Sequence, residues 1–491
     1  MSRLLACIAA SLLAISCAPF AAQRQPAASS PSPVPPGPLK LLPSGTFDAT
    51  PERTSAHPPD AAIAAGRSEL IVSLNSDISI RDKSGALIAS SRPGKFYGYA
   101  PMPPTDERES IADPRAVYDR ESNRFFLLSG ASTENAPPCT PERCFSHFLL
   151  AVSKDSAPKT LTDADWYLYA LPMTREFPPH TVQLIDFPSL SVSGGLVVLT
   201  ANMLLLLPGA TSGKPYQKVR LIEKASLLKG REVDAWTDLD DLKDPDSNPA
   251  HNLQPVVALG TSTPTFLAGF IQDRCQFALW SISGTAGKPA VRSRFVPSSL
   301  RCERKSPPAA QPGGGPPLEV DGPELVSHPV YRDGYLWLAH TMSQQYASET
   351  VAAVAWAQID VRNWPNAAAL VQESLLTVEN AWICYPALVA GPRGAMAMVF
   401  AESSLEAPER VAYTGRFATD PRSSLRPARV LKQSGASQDS RESSDAGRNR
   451  FGDYFDIAAD PVNDTIWMVG EYVRTSREWG MFVGHVEWSA G

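Results

Sequence analysis

The sequence predicts an all-β fold, a seven-bladed β-propeller of antiparallel meanders, preceded by a signal peptide and a Pro-rich tether. Residues 452–472 (GDYFDIAADPVNDTIWMVGEY) read as one complete unit: a short strand, the turn Asp460-Pro461-Val462-Asn463-Asp464, and a second strand. Proline presets φ, and Asn and Asp tolerate tight backbone geometry, so this is a hairpin with a mechanism. Weaker copies recur upstream. With Pro59, Pro114, Pro188, Pro255, Pro329, Pro386 and Tyr454 as anchors, the spacings are 55, 74, 67, 74, 57 and 68 residues. A ragged period of that size marks a repeat architecture. Composition agrees, because 46 Pro and 31 Gly suit many short elements joined by turns. No long helix-period segment stands out, and patches such as residues 221–229 are short.

Residues 1–17 read as a targeting segment: Arg3 is a one-charge n-region and residues 4–15 are apolar but too short to span a bilayer. Ser16-Cys17 after Leu13-Ala14-Ile15 approximates a lipobox, which makes Cys17 a lipidation candidate; secretion with cleavage nearer Ala22 is the alternative. Residues 18–45 are rich in Pro, Ser and Ala and read as an extended tether. If Cys17 carries lipid, ~20 residues at ~3.1 Å each lift the body ~60 Å from the membrane.

Residues 46–491 form the propeller. Each anchor precedes a short apolar run and then a strand, expected at 69–75, 124–129, 196–201, 265–270, 335–340, 395–400 and 465–471. Further strands are expected at 148–152, 167–171, 217–222, 277–282, 351–359, 410–417 and 481–488. A lone meander has two open edges and half a core. Seven placed radially bury one another's faces. The last strand is expected to share a blade with a strand near residues 41–47, closing the ring. Two packed β-sandwiches are the alternative. Residues 133–143, 303–323 and 433–450 read as loops, the last of them mobile.

The chain has seven cysteines. Cys139 and Cys144 suit a local disulfide, Cys275 and Cys302 could tie a blade to its following loop, and Cys384 reads as a buried small hydrophobe. No His pair sits at zinc-ligand spacing. The net charge of −6 gives no reason to expect nucleic acid or an anionic membrane surface as partner.

Gly452-Asp453-Tyr454 with Asp460-Pro461, Trp467, Glu471-Tyr472 and Trp479-Gly480 resembles the closing repeat of a broad group of exported bacterial propeller proteins with sialidase-like overall architecture. Residues 113–119 (DPRAVYD) with Arg124-Phe125-Phe126, residues 151–154 (AVSK) and residues 200–203 (TANM) are similar to the internal repeats of that group. The resemblance implies fold and export over roughly residues 60–488, and brings no catalytic residues with it.

In a propeller the turn before each first strand sits at a channel mouth. Those positions are Asp60, Asp113, Asp186, Gln254, His328, Tyr385 and Asp453, with Arg115 beside them. On one rim they make an oxygen-rich ligand site, with Asp113, Asp186 and Asp453 as Ca2+ ligands. Alternatively each Asp only caps its own turn.

A sialidase would need an arginine cluster, a Tyr nucleophile with a Glu, and an acid Asp. Arg115, Arg124, Tyr118, Tyr454 and Glu471 are of the right types, but the Asp-box is missing. No G-x-S-x-G elbow or His-Glu-x-x-His is present. Trp236 and Trp382 lie near loops and are candidates for stacking on a ligand. His340 and His485 read as structural. The expectation is an exported monomer that binds a surface glycan or protein, requires no cofactor beyond an optional Ca2+, and touches membrane only through its lipid. A glycoside hydrolase and a purely structural surface protein are the alternatives.

Overall fold

The computed structural model describes residues 39–52, 57–98, 110–132, 145–173, 175–177, 181–206, 216–233, 235–260, 264–302, 306–320, 322, 324–441 and 448–489. Cys17, the tether up to residue 38, and Cys139 and Cys144 lie outside these. No helix among them is long and apolar enough to cross a membrane.

Seven antiparallel sheets follow one another along the chain. Blade 1 runs Ala62–Ala65, Glu69–Ser73, Ile78–Asp82, Leu87–Ser91, and blade 2 runs Ser110–Asp119, Arg124–Ser132, Ser146–Ser153, Trp166–Pro172. Blade 3 is Thr181–Ser193, Leu196–Leu206, Tyr216–Glu223, Thr237–Leu239, with Arg175–Phe177 on its inner edge. Blade 4 is Gln254–Pro255, Thr265–Ile271, Gln276–Thr285, Lys288–Pro297, and blade 5 is Val330–Arg332, Tyr335–Gln345, Thr350–Asp360, Ala369–Leu376. Blade 6 is Ala381–Ala390, Met396–Ser404, Arg410–Arg416, Arg429–Gln433. Blade 7 combines Asp456–Ala459, Ile466–Thr475 and Glu478–Trp488 with Leu39–Leu41 and Phe47–Asp48, which both pair with Glu478–Trp488. The ring is therefore closed by strands from opposite ends of the chain. One detail departs from the repeat: Val257–Ala258 leaves blade 4 and pairs in parallel with Val330–Arg332 of blade 5.

Each neighbouring pair of blades shares its own hydrophobic core. Ile71, Ile80, Phe125 and Leu149 join blades 1 and 2, and the same holds around the ring to Leu70, Val72, Trp467 and Trp479 between blades 7 and 1. Strand faces that one sheet could not cover are thus covered by the next. The first strands contribute small residues to the axis. Ala64, Ala116, Ala387 and Ala458 line an apolar channel of about 50 Å³.

Two loops expected from composition are instead locked together. Gln438 N–H donates to Gln311 Oε1 (2.7 Å) and Gln311 Nε2 to the Gln438 carbonyl (2.9 Å), while Asn449 Nδ2 donates to the Pro316 carbonyl (2.9 Å). Ser434, Gln438 and Ser440 are buried. The described part of 433–450 is therefore packed structure, correcting the expectation of a mobile segment. Of residues 221–229 only Lys224–Leu227 is helical; the first three continue a strand. Cys275 and Cys302 form a disulfide, and Cys384 is buried.

Candidate ligand site at the acidic mouth

The mouth is built by one backbone device repeated around the ring. A residue with positive φ precedes the first strand or interrupts it: Asp60 (42°), Asp113 (57°), Phe187 (54°), Asn252 (51°), Tyr385 (53°) and Gly452 (47°). In blades 2, 3 and 6 this position is a β-bulge, with register breaks between Ala112 and Arg115, Asp186 and Ser189, and Cys384 and Ala387. Asp and Asn tolerate the left-handed region, and a bulge turns the strand and re-aims its side chains.

At five of the six, Asp60 being the exception, the N–H at or next to the residue is capped from another blade. Asp113 N donates to Asn75 Oδ1 (2.9 Å), Phe187 N to Asp113 Oδ2 (3.1 Å) and Asn252 N to Asn202 Oδ1 (2.8 Å). Tyr385 N donates to Thr341 Oγ1 (3.3 Å), and Asp453 N to Asp60 Oδ1 (2.9 Å). Asn75 Nδ2 also reaches Asp60 Oδ2 (2.8 Å). These caps cross between blades, so they are part of what draws the carboxylates together.

Asp60, Asp113 and Asp453 converge, with one carboxylate oxygen from each lying within 4.8 Å of the others. Burial raises all three pKa values, and a neighbouring carboxylate adds to each, Asp186 to Asp113, Asp113 to Asp453, and both Asp453 and Asp113 to Asp60: Asp113 and Asp453 are pushed up to about 6, and Asp60 well above its ordinary value. Arg450 contacts Asp453. Burial works against the charge of Arg450, but Asp453, Asp60 and Glu319 outweigh it and hold its pKa above the usual range.

Behind the trio sits Glu471, 1% exposed, with neither carboxylate oxygen hydrogen-bonded. Burial, then the neighbouring Asp60 and Glu409, raises its pKa well above normal; the Gly452 N–H lies against it outside hydrogen-bond geometry. A Cβ at Gly452 would stand 3.2 Å from Glu471 Oε2 in a backbone conformation of φ +47°, so a side chain there would be strained and would crowd the carboxylate.

The cavity above measures about 540 Å³. Its lining holds six carboxylates, with Asp186, Glu319 and Glu324 joining the trio, against two guanidiniums, Arg448 and Arg450. Arg448 pairs with Glu319 at 2.8 Å. The excess is negative, which suits a cation or a hydroxyl-rich ligand and disfavours an anionic one.

Arg115, expected at the mouth, is buried and does not line the cavity. It is 3% exposed, donates to the carbonyls of Pro188 and Val326 (both 3.1 Å), and stacks 3.6 Å from the Tyr454 ring centroid. Asp186 lines the cavity outside the tight trio. The structure places the remaining expected mouth residues elsewhere. Gln254 is buried two residues beyond Asn252, which occupies the mouth position of blade 4. His328 lines the channel, where burial and then Arg115 lower its pKa to about 3. Tyr385 is turned into the core between blades 6 and 7, its hydroxyl donating to the Glu319 carbonyl (2.7 Å).

Of the sialidase-type residues, Arg115, Tyr454 and Glu471 are buried near the trio, whereas Tyr118 and Arg124 are not with them. Tyr118 donates to Asn123 Oδ1 (3.2 Å) and Arg124 to nearby carbonyls, at the end of the blade opposite Tyr454 and Glu471. Trp236 lies under Arg220 (4.3 Å) and Trp382 is buried, so both are engaged in packing. His485 stacks on Trp467 at 3.7 Å and His340 on Phe270 at 4.2 Å, both as packing groups. Glu319, Arg448 and Arg450 were not readable as site residues, because they sit on loops outside the repeat. Asn75 and Asn202 carried a weak signal, each near the end of a second strand.

No protein-family model matches the chain, and no curated protein matches it by sequence. Solved structures resemble its fold. An α-L-arabinanase of Penicillium chrysogenum in complex with arabinobiose aligns with 90% of this chain and 98% of its own, at 8% identity and a TM-score of 0.38. A Trypanosoma rangeli sialidase in complex with the inhibitor DANA aligns with 91% of this chain and 60% of its own, at 7% identity and 0.36. The WD40 domain of SCAP from fission yeast aligns with 90% and 83%, at 10% identity and 0.34. These are likenesses of fold.

Proposed function

We propose that the protein is an exported binding module, held at the cell surface by lipid on Cys17, whose acidic mouth takes Ca2+ and, through it, the hydroxyls of a glycan or the polar groups of a protein ligand. One observation carries this reading: three carboxylates from blades 1, 2 and 7 lie within 4.8 Å of one another, with the unpartnered, buried Glu471 behind them. Oxygens that share one Ca2+ at about 2.4 Å can be at most about 4.8 Å apart. A divalent ion would also relieve the repulsion that raises the pKa values of the trio. Neutral groups of Asn75 and the pocket walls complete an oxygen-rich surround.

Melting with Ca2+ and with EDTA tests it. At 100 times its Kd an ion bound only by the folded state adds about 2.7 kcal/mol, a Tm rise of a few degrees. That rise is expected in the wild type and in Asp186→Asn, and lost in Asp113→Asn. Equal melting with Ca2+ and EDTA would rule the ion out.

A second reading, glycoside hydrolysis at the same mouth, is favoured by one feature: Asp113 and Asp453 titrate near 6, the range of a general acid. Turnover on a fluorogenic glycoside panel, abolished by Asp113→Asn, would replace binding by catalysis.

A further inference from the structure

We infer that a second site, on the face opposite the acidic mouth, binds an oxyanion group of a small ligand. It is a groove of about 390 Å³ between blades 5 and 6. Four arginines line it, Arg332, Arg393, Arg416 and Arg422, against one carboxylate, that of Asp333.

The elements explain how they meet. Arg332 ends the first strand of blade 5, and Arg393 lies in the turn Pro392–Gly394 after the first strand of blade 6. Arg416 ends the third strand of blade 6, and Arg422 sits in the connection that follows. Turns after first and third strands fall on one face, so four separate positions deliver guanidiniums to one groove.

The charges are poorly balanced. Arg332 shares Asp464 with Arg120, at 3.0 and 3.3 Å, and stands 3.8 Å from Asp333, whose side chain is mostly exposed. Among the described residues Arg393 and Arg422 make no ion pair and no side-chain hydrogen bond, and both are exposed.

Arg416 is the second, independent sign. It is 1% exposed, yet forms no salt bridge. It donates to the carbonyls of Asp420 and Pro421 (3.1 and 3.2 Å), lies 5.4 Å from the Trp356 ring centroid, and leaves its buried Nε–H without an acceptor. The nearest carboxylate, Asp420, is held by both Nε and Nη2 of Arg426. A buried guanidinium with neither a carboxylate partner nor a full set of acceptors is costly, and an oxyanion in the groove would supply both. The forked guanidinium suits carboxylate, sulfate and phosphate alike; Gln358 and Gln372, joined at 2.6 Å, add amide groups to the wall.

Calorimetric titration of the whole chain with inorganic phosphate, sulfate and glucuronate at low salt tests this and separates the sources of the oxyanion. Arg393→Gly suits the positive φ at that position, and Arg422→Ala lies in an exposed connection, so both variants should fold. Saturable binding of at least one anion is expected, weakened ~10-fold by each variant, as for loss of a charge-assisted hydrogen bond. Asp113→Asn should leave it unchanged. No saturable binding of any of the three, or equal affinity in the Arg393→Gly/Arg422→Ala double variant, would overturn the site.

Discussion

Asp456 shows how the axis treats a charge. It lines the channel and accepts from the Ile63 and Ile457 N–H groups, both at 2.9 Å. Burial nevertheless prevails over those two donors and raises its pKa to about 7. The folded state therefore holds the proton more tightly than the unfolded chain. That contribution is complete below pH ~4 and is lost as pH rises through 7. Because the carboxyl faces the channel, we expect ~1–2 kcal/mol of the wild type's advantage over Asp456→Asn to disappear between pH 5 and 8. A constant difference in stability across that range would show that the group stays ionised in the fold. The same residue scale explains the limits of reading the mouth from sequence. Asp60, Asp113 and Asp453 were legible because each sits at an anchor. Tyr385 also sits at an anchor, but a large ring is better buried between blades than left in water. Gln254 was two residues off, since the asparagine that adopts the left-handed bend, rather than the proline, marks the mouth in blade 4.

The hairpin is the element that made the fold readable, and Asp460 is its lock. The turn was expected from its Asp, Pro and Asn. What the turn's first side chain does was not, because its partners are distant or on another strand. Asp460 accepts from Lys83 Nζ of blade 1 (2.7 Å), Trp467 Nε1 (3.0 Å) and Val462 N (2.9 Å). Burial raises its pKa, but Lys83 and the other donors outweigh burial and keep it below the usual carboxylate range. Asp460→Ala would leave a part-buried ammonium and a buried indole N–H unpaired. A loss of ~2–4 kcal/mol in denaturant unfolding is expected. A loss under ~0.5 kcal/mol, typical of a surface site, would deny the lock. The loops behave in the opposite way. Their composition marks them as irregular, yet it says nothing of Gln311 meeting Gln438 across 127 positions, and it is these loops that carry Glu319, Arg448 and Arg450 to the mouth.

At the scale of the whole molecule, seven sheets each lacking a cover share seven cores, and strands from the two ends of the chain complete the last blade. Period and strand content were enough to foresee that closure. The parallel link from Val257–Ala258 to blade 5 was not foreseen, because a two-residue pairing leaves no periodic trace. Radial order has a further consequence: groups hundreds of residues apart become neighbours at the axis, acidic at one face and, between blades 5 and 6, basic at the other. Calorimetric titration of Ca2+ into the wild type and into Asp60→Asn, Asp113→Asn, Asp453→Asn and Asp186→Asn tests that convergence most directly. One ion per chain is expected for the wild type and Asp186→Asn, with affinity falling at least ~10-fold in each of the other three, a change of about 1.4 kcal/mol. Absence of binding, or binding indifferent to Asp60, Asp113 and Asp453, would contradict it.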